Sequence, residues 1–276
     1  MFDKTKDTRF PPARYPCSLF TTLLAAHYFQ ITLTTRRIRA NLPPMAKTAA
    51  RGLARSAYEH LRRHIVTLKL APGTPLVEVD LCARLHLSRT PVRAALERLH
   101  HEGLVTMTGN RTLGRAVVAP LTLEDMRELF LLVGALDGVA ARLAAALERG
   151  PRERLAARAR AINEELRALA GRARVSDVAL AQDLDLQFHV LYERAAAGPR
   201  LLAKLDALHA QRERYVRLYT AALMHAHGLQ ESLAEHEAIV VAIEAGDGEA
   251  AERHAAFNYR NALSRYERAS RVQGGA

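Results

Sequence analysis

The segment of residues 76–107, LVEVDLCARLHLSRTPVRAALERLHHEGLVTM, constrains the fold more than any other part of the chain. Ser88 is predicted to be the N-cap of a helix, because its hydroxyl can accept hydrogen bonds from the unpaired N–H groups of the first turn. Pro91 costs little in that turn, since its missing N–H would have no partner there. Four apolar residues then recur at i, i+3, i+4 and i+7, the spacing of a helix packed on a core: Val92, Ala95, Leu96 and Leu99.

A second predicted helix lies immediately upstream of this one. Only His86 and Leu87 separate it from Ser88, and such a short connection is typical of helix-turn-helix units. The upstream helix carries four apolar residues: Val79, Leu81, Cys82 and Leu85. We expect Cys82 to pack in the core between the two helices.

Two further elements complete a compact module. An earlier amphipathic helix ends at the strong breaker of residues 71–73, and its apolar residues are Tyr58, Leu61, Ile65 and Leu68. Downstream, Gly103 ends the second helix, and β-prone runs follow at residues 104–108 and 116–119. The Gly/Asn-rich sequence GNRTLGR lies between these runs and is typical of a turn. This order of elements predicts a winged helix-turn-helix domain.

The free face of the helix after Ser88 suits DNA recognition. At about 100° per residue, Arg89, Thr90 and Arg93 point away from the apolar stripe. Arginine matches guanine edges and phosphates, and the N-terminal residues of a recognition helix are the ones that reach bases. Arg111 and Arg115 of the wing suit phosphate or minor-groove contact. A solvated charged face on an ordinary helix is the alternative, but the short turn and the wing favour DNA.

The distribution of charge agrees with a DNA module at one end of the chain. Residues 1–50 carry 8 basic and 2 acidic side chains, and residues 51–118 carry 11 and 5. Residues 119–276 carry 21 basic and 22 acidic side chains, so the long C-terminal part is electrically balanced. A protein that contacts nucleic acid along its whole length would not divide its charge in this way.

Other compositional features narrow the class of protein. Two cysteines in 276 residues give no disulfide framework, which fits a reducing cytoplasm, where the protein would associate with the DNA that it binds. No apolar run approaches the roughly 18–20 residues of a membrane span, so no membrane partner is expected. We interpret residues 1–44 as a disordered extension or an over-long start with Met45 as the initiator, and residues 45–120 as the DNA-binding domain.

From Leu121 onward the sequence has helical periodicity throughout. Thr122 followed by Glu124 and Asp125 favours a helix start there, since acidic groups stabilise the positive end of the helix dipole. That helix is predicted to run to about residue 148, and five more follow at roughly 152–170, 176–196, 199–223, 229–245 and 248–271. The fold class is therefore mainly α: a winged helix-turn-helix followed by an all-α antiparallel bundle at residues 121–271, with a tail at 272–276. Bundle interiors are common ligand sites.

One carboxylate and three histidines could meet inside the bundle. Asp185 and His189 are four residues apart on one helix and share a face, while His236 and His254 come from later helices. Such a set suits a divalent transition metal such as zinc, nickel or manganese. Packed or surface histidines are the alternative interpretation, but a buried carboxylate beside imidazoles is costly unless something pairs with it.

The N-terminal module resembles the GntR superfamily of bacterial transcription regulators. The matching stretch is YEHLRRHIVTLKLAPGTPLVEVDLCARLHLSRTPVRAALERLHHEGLV, and SRTPVR at residues 88–93 is close to a signature. The resemblance implies that Ser88, Arg89, Thr90 and Arg93 contact the operator and that the wing tip around Gly114 assists. Some members have an arginine where this chain has Val79. The base preference of those members at the matching operator position therefore does not carry over to this chain.

The C-terminal part resembles the FCD effector-binding domain of FadR-type members. The matching stretches are DLDLQFHVLYERAAAGPRLLAKL and SLAEHEAIVVAIEAGDGEAAERH. The resemblance implies a metal held by Asp185, His189, His236 and His254. Counting from Asp247 puts Asn258 at the family's last ligand position, so Asn258 is the alternative to His254; imidazole is the better ligand.

The same resemblance implies a small organic or sugar acid as effector. The family often places an arginine for it on the first bundle helix, where this chain has Val133, and Arg214 or Arg217 could substitute. We therefore expect a homodimeric regulator, most simply a repressor, that binds a double-stranded operator under metabolite control. One alternative keeps DNA binding but gives the metal a purely structural role without effector. The other is a metalloenzyme, against which stands the lack of a paired motif such as HExxH.

Overall fold

The computed structural model describes residues 50–108, 115–170, 177–224 and 228–273. Residues 1–44, together with Arg111 and Gly114 of the predicted wing tip, lie outside these described residues. Within the described ranges no helix is both long enough and apolar enough to cross a membrane. The same ranges contain nine helices and three short strands, which confirms the predicted mainly α fold class.

Six elements form the N-terminal module: α1 (Ala50–Val66), β1 (Pro75–Leu76), α2 (Glu78–Leu85), α3 (Arg89–His101), β2 (Val105–Thr108) and β3 (Arg115–Val118). The apolar stripe predicted on α3 is buried and packs on Leu61 and Ile65 of α1. Cys82 packs on this core as predicted, whereas Val79 is exposed. The core also includes Ala210, a residue from a later helix that is only 3% exposed.

A three-stranded antiparallel sheet, in the order β1-β3-β2, closes the module. Val105 of β2 lies opposite Val118 of β3, and Pro75 of β1 lies opposite Val117. The two wing strands correspond to the predicted β-prone runs. The sequence did not indicate β1, because a strand of two residues is too short to show an alternating pattern.

The turn between α2 and α3 differs from the prediction in one detail. His86 adopts the left-handed conformation with a φ of 53°, and this reverses the chain within two residues. Ser88 has the extended backbone of an N-cap, but its side chain makes no capping hydrogen bond, so the predicted role of its hydroxyl is wrong. Because the first turn of α3 is exposed, its N–H groups can bond to water instead.

Six helices form the C-terminal bundle, as predicted: α4 (Leu123–Ala145), α5 (Arg149–Ala170), α6 (Val178–Ala196), α7 (Pro199–Met224), α8 (Gly228–Ala245) and α9 (Gly248–Gln273). Thr122 caps α4, since its Oγ1 accepts from the N–H of Asp125 at 3.1 Å. Gly150 and Pro151 lie in the first turn of α5 rather than before it, where proline is tolerated. α9 includes the first two residues of the predicted tail.

Two glycines let α4 approach α9 closely. A Cβ on Gly134 would lie 2.8 Å from the Cβ of Tyr259, and a Cβ on Gly138 would lie 3.0 Å from the carbonyl oxygen of Glu252. These distances are shorter than ordinary contacts, so a larger residue would push the two helices apart. The close approach accompanies a ring contact of Tyr259 with His189 of α6, at 4.9 Å between centroids, where the candidate site lies.

Candidate DNA interface and candidate metal centre

The polar face of α3 is exposed as the sequence predicts. Ser88, Arg89, Thr90 and Arg93 all reach solvent. Arg93 forms an ion pair with Glu78 on α2, in which its Nε lies 2.9 Å from both carboxylate oxygens. An ion pair this exposed contributes little to the stability of the fold. The guanidinium of Arg93 can therefore leave Glu78 and bind a DNA group at a small cost in free energy. Of the predicted wing residues, Arg115 is described and begins β3 with an exposed side chain.

Asp185, His189 and His236 come together in the bundle. Each offers one ligand atom, and these atoms lie within 4.8 Å of one another. His236 Nε2 is 3.6 Å from Asp185 Oδ1. His189 and His236 are buried, and the ring of His236 stacks on Phe188 with 3.9 Å between the centroids. The i, i+4 spacing on α6 and the crossing of α8 therefore bring together three of the four predicted ligands.

Buried partners orient both imidazoles. His189 Nδ1 is 3.2 Å from Asp137 Oδ2 and 2.9 Å from the Tyr192 hydroxyl, which itself donates to the same carboxylate. His236 Nδ1 is 3.1 Å from the side-chain oxygen of Asn163. An acceptor at Nδ1 places the proton there and leaves the Nε2 lone pair available, the arrangement that metal-binding histidines commonly have. Burial lowers the pKa of His236 to about 3, so its ring is neutral as a ligand must be.

His254 is not part of this group. Among the described His, Cys, Asp and Glu residues, only Asp185, His189 and His236 meet here. α9 turns Ala255, Asn258 and Tyr259 inward and leaves His254 half-buried at the flank. Asn258 is 3% exposed, and its amide donates to Glu235 at 2.8 Å. The structure therefore gives no support to the expected preference for His254 over Asn258. Ligand chemistry alone does not determine which side of α9 faces inward.

Arg212 of α7 lies beside the three residues and was not identified from the sequence. Its two terminal nitrogens are 3.3 and 3.4 Å from Asp185 Oδ2. Burial alone would raise the pKa of Asp185, but the charge of Arg212 lowers it, so the carboxylate is ionised. Asp137 was missed as well, although a lone acid in the apolar stretch LFLLVGALDG was a usable signal.

A second buried pair adjoins the cluster. Glu193 Oε1 is 2.7 Å from His209 Nε2. Burial and the nearby Asp137 raise the pKa of Glu193 to about 9, and burial lowers the pKa of His209 to about 3. Both groups are therefore neutral at pH 7. In the described part of the chain, the buried Arg212 Nε and Tyr259 hydroxyl have no hydrogen-bond partner. Buried polar groups without a partner are commonly satisfied by a bound ligand or an ordered water molecule.

Arg214 and Arg217, the predicted effector contacts, do not reach the cluster. Arg214 is buried and donates to the carbonyl oxygen of Ala119, at the end of the DNA module. Arg217 Nε donates to Glu213 Oε1 on the same helix at 2.8 Å. α7 turns about 100° per residue, so it directs Arg212 inward and Arg214 toward the linker. Spacing along one helix does not distinguish these arginines.

α7 contacts the DNA module through further residues. Gln211 donates to the carbonyl oxygen of Glu102 at 3.0 Å, at the C-terminal end of α3. Its side chain fills the space over Gly103, whose φ of 71° favours glycine. The Tyr215 hydroxyl contacts the backbone N and O of Thr122 and donates to Asp125 at 2.6 Å. One helix thus contacts both the buried cluster and the junction with the DNA module.

Comparison with known proteins adds the following findings. Residues 53–113 match the family described as "Bacterial regulatory proteins, gntR family", and residues 128–257 match the FCD domain. The chain is 40% identical over 102 residues to a helix-turn-helix-type transcriptional regulator of Streptomyces ambofaciens, covering 36% of this chain and 43% of that protein. It is 44% identical over 64 residues to the Nta operon transcriptional regulator of Aminobacter aminovorans, covering 23% of this chain and 30% of that protein. The match thus spans less than half of either relative.

A longer match extends into the bundle. The chain is 32% identical over 187 residues to the "Probable D-xylose utilization operon transcriptional repressor" of Paenarthrobacter nicotinovorans, covering 67% of this chain and 75% of that protein. Among solved structures, Escherichia coli McbR/YncC superimposes with a TM-score of 0.59 at 17% identity, covering 81% of this chain and 99% of that one. That likeness concerns the fold.

Proposed function

The chain belongs to the GntR family of bacterial regulators and carries an FCD domain, and we propose that it is a DNA-binding transcription regulator under metabolite control. The observation that carries this proposal is the exposed face of α3, with Arg89, Thr90 and Arg93 on a winged module. We take residues 45–120 as the DNA-binding domain and residues 121–271 as the effector domain. Binding as a homodimer would suit a pseudo-palindromic operator. A repressor is the simplest form, since one relative bears that name.

The DNA-binding role can be tested without knowing the operator. Duplexes selected by the wild-type protein from a random library would serve as probes in fluorescence anisotropy. Arg89→Ala should weaken binding to the selected duplex by about 5-fold or more, because one good base contact is worth about 1–3 kcal/mol. Arg158→Ala, an equally exposed arginine on α5, is the matched control and should bind as wild type. Equal affinity of the two variants would refute the assignment of α3.

The buried cluster fits a divalent metal ion, with zinc, nickel and manganese as candidates. Asp185, His189 and His236 would hold it, and Asn258 is the better placed of the two candidates for a further ligand. The fit rests on the buried acceptors at both Nδ1 atoms, which leave the imidazoles in the form that binds metal. When bound, the ion would supply positive charge on which an anionic ligand can be held.

The charges of the cluster favour an acidic effector. Asp137 and Asp185 are negative, Arg212 is positive, and Glu193 is neutral. A divalent cation would change this local charge from −1 to +1, and a buried net charge is unfavourable unless it is compensated. A carboxylate would compensate it and could also satisfy Arg212 Nε and the Tyr259 hydroxyl. Arg212 therefore takes the effector-binding role that the sequence suggested for Arg214 or Arg217. The ligand class is a small organic or sugar acid.

α7 would couple the ligand to the DNA module. His209 and Arg212 contact the cluster, and Gln211, Arg214 and Tyr215 contact the junction. A ligand that moves Arg212 would shift this helix and with it the placement of α3. Such a ligand acts only through unequal affinity for the two arrangements.

The coupling is tested by operator affinity in the presence of small acids, with metal and with chelator. Arg212→Gln should abolish the effect of the acid while basal operator affinity remains. Unchanged operator affinity across the panel would instead favour a purely structural metal. A metalloenzyme is disfavoured, because the named relatives are transcription regulators.

A further inference from the structure

The outer face of α4 exposes a continuous apolar stripe. Leu131 is 53% exposed, Leu132 48%, Val139 39% and Leu143 41%. Exposed Ala135 lies at the middle of the stripe, and all five residues fall within about 120° of the helix circumference at 100° per residue. Four large apolar side chains on one exposed helix face mark an interaction surface rather than ordinary scatter.

The charges at the two ends of this stripe are opposite and evenly placed. Glu128 lies seven residues before Ala135, and Arg142 lies seven residues after it, both exposed on the same face. In two antiparallel copies of α4 related by a two-fold axis at Ala135, Glu128 of each copy lies opposite Arg142 of the other. The same axis places Leu131 opposite Val139. The pairs Glu128–Arg142 and Leu131–Val139 are therefore complementary across the axis, as an isologous interface requires.

The geometry points to α4 as the surface on which two copies of this chain pair, antiparallel and centred on Ala135. The small side chain at the centre allows close helix approach. Arg142 also contacts Glu252 of its own chain at 3.0 Å, but both side chains are exposed, so that pair is weak and can be shared. The inference rests on the proposed dimeric regulator and specifies its interface.

The pairing has a consequence for DNA geometry. Leu123 begins α4 twelve residues before Ala135, which at 1.5 Å per residue is about 18 Å. The two α4 N-termini, each joined to a DNA module by a short linker, would therefore lie about 36 Å apart along the helix axes. Half-sites one helical turn apart on a duplex are separated by about 34–36 Å. The separation of the two linkers is thus similar to that of adjacent half-sites.

Cysteine cross-linking tests the position of the axis. Ala135→Cys, with Cys17 and Cys82 replaced by serine and alanine, should form a disulfide-linked dimer under mild oxidation, because the two sulfurs would face each other across the axis. Ala157→Cys, on an exposed site of α5, is the matched control and should stay uncross-linked. Equal cross-linking of both variants, or none of Ala135→Cys, would overturn the register.

Charge exchange tests the contacts, with the dimer dissociation constant measured by sedimentation. Glu128→Arg and Arg142→Glu should each weaken the dimer about tenfold or more, since each creates two like-charged contacts. The double variant should recover to within about threefold of wild type. No weakening by the single changes, no recovery in the double variant, or a monomeric wild type whose face is covered by another segment would each refute the interface. Operator binding by the wild-type protein, measured in parallel, tests the proposed function separately.

Discussion

Asp137→Asn should weaken metal binding without changing any predicted ligand. Asp137 is completely buried, and its Oδ2 lies 3.2 Å from His189 Nδ1. The asparagine side chain has nearly the same shape but lacks the charge that orients and polarises the imidazole. Loss of such a partner typically costs 10–100-fold in metal affinity. At about 1.4 kcal/mol per factor of ten, this is about 1.4–2.8 kcal/mol of binding free energy.

The measurement is a competition titration against a chromogenic chelator, run separately with zinc, nickel and manganese. Asp183→Asn is the matched control, because Asp183 lies on the same helix as His189 but is exposed. It should bind metal within about twofold of wild type. Circular dichroism of both variants establishes that the bundle is folded. If folded Asp137→Asn bound all three metals within about threefold of wild type, the argument from histidine orientation would be wrong.

Three further predictions concern other parts of the molecule. Glu78→Gln should free Arg93 and tighten binding to unrelated duplexes by a few fold, measured by anisotropy at fixed salt, with smaller discrimination in favour of selected sites. The folded state keeps a proton on Glu193 up to a pKa of about 9, whereas the unfolded chain loses it near 4.5, so this group lowers the unfolding free energy as pH rises between those values. Glu193→Gln should therefore gain stability over wild type at pH 8.5 relative to pH 5 in urea titrations; an equal difference at both pH values would contradict this. Gly134→Ala should cost about 1–3 kcal/mol and lower the melting temperature, because its Cβ would meet a Cβ of α9 at 2.8 Å, whereas Gly198→Ala, with open space around it, should not.

Local periodicity was sufficient to predict the helices. The buried stripe of α3 and the six bundle helices follow from apolar spacing and from breaks such as Gly198 and Gly246, which are properties of contiguous sequence. The i, i+4 pair of Asp185 and His189 is local in the same sense. Its meeting with His236 was inferred from residue chemistry and family resemblance, and the structure agrees.

The remaining features depend on how helices cross, which spacing within one helix does not determine. Arg212, Arg214 and Arg217 lie within two turns of α7, and only the packing of that helix distinguishes one at the cluster from one at the junction. Asn258 and His254 are separated in the same way by the rotation of α9. The DNA contacts of α3 stay predictions until binding is measured.

The position of Ala210 limits how the domains of such regulators can be exchanged. This residue of the bundle completes the apolar core of the DNA module, and its neighbour Gln211 covers Gly103. A DNA module separated from the bundle at the linker would lose these two residues and expose part of its apolar core to solvent. Chimeras that join the DNA-binding domain of one regulator to the bundle of another at the linker would therefore fold poorly. A chimera that folds well would also need the matching turn of α7 from the regulator that supplies the DNA-binding domain.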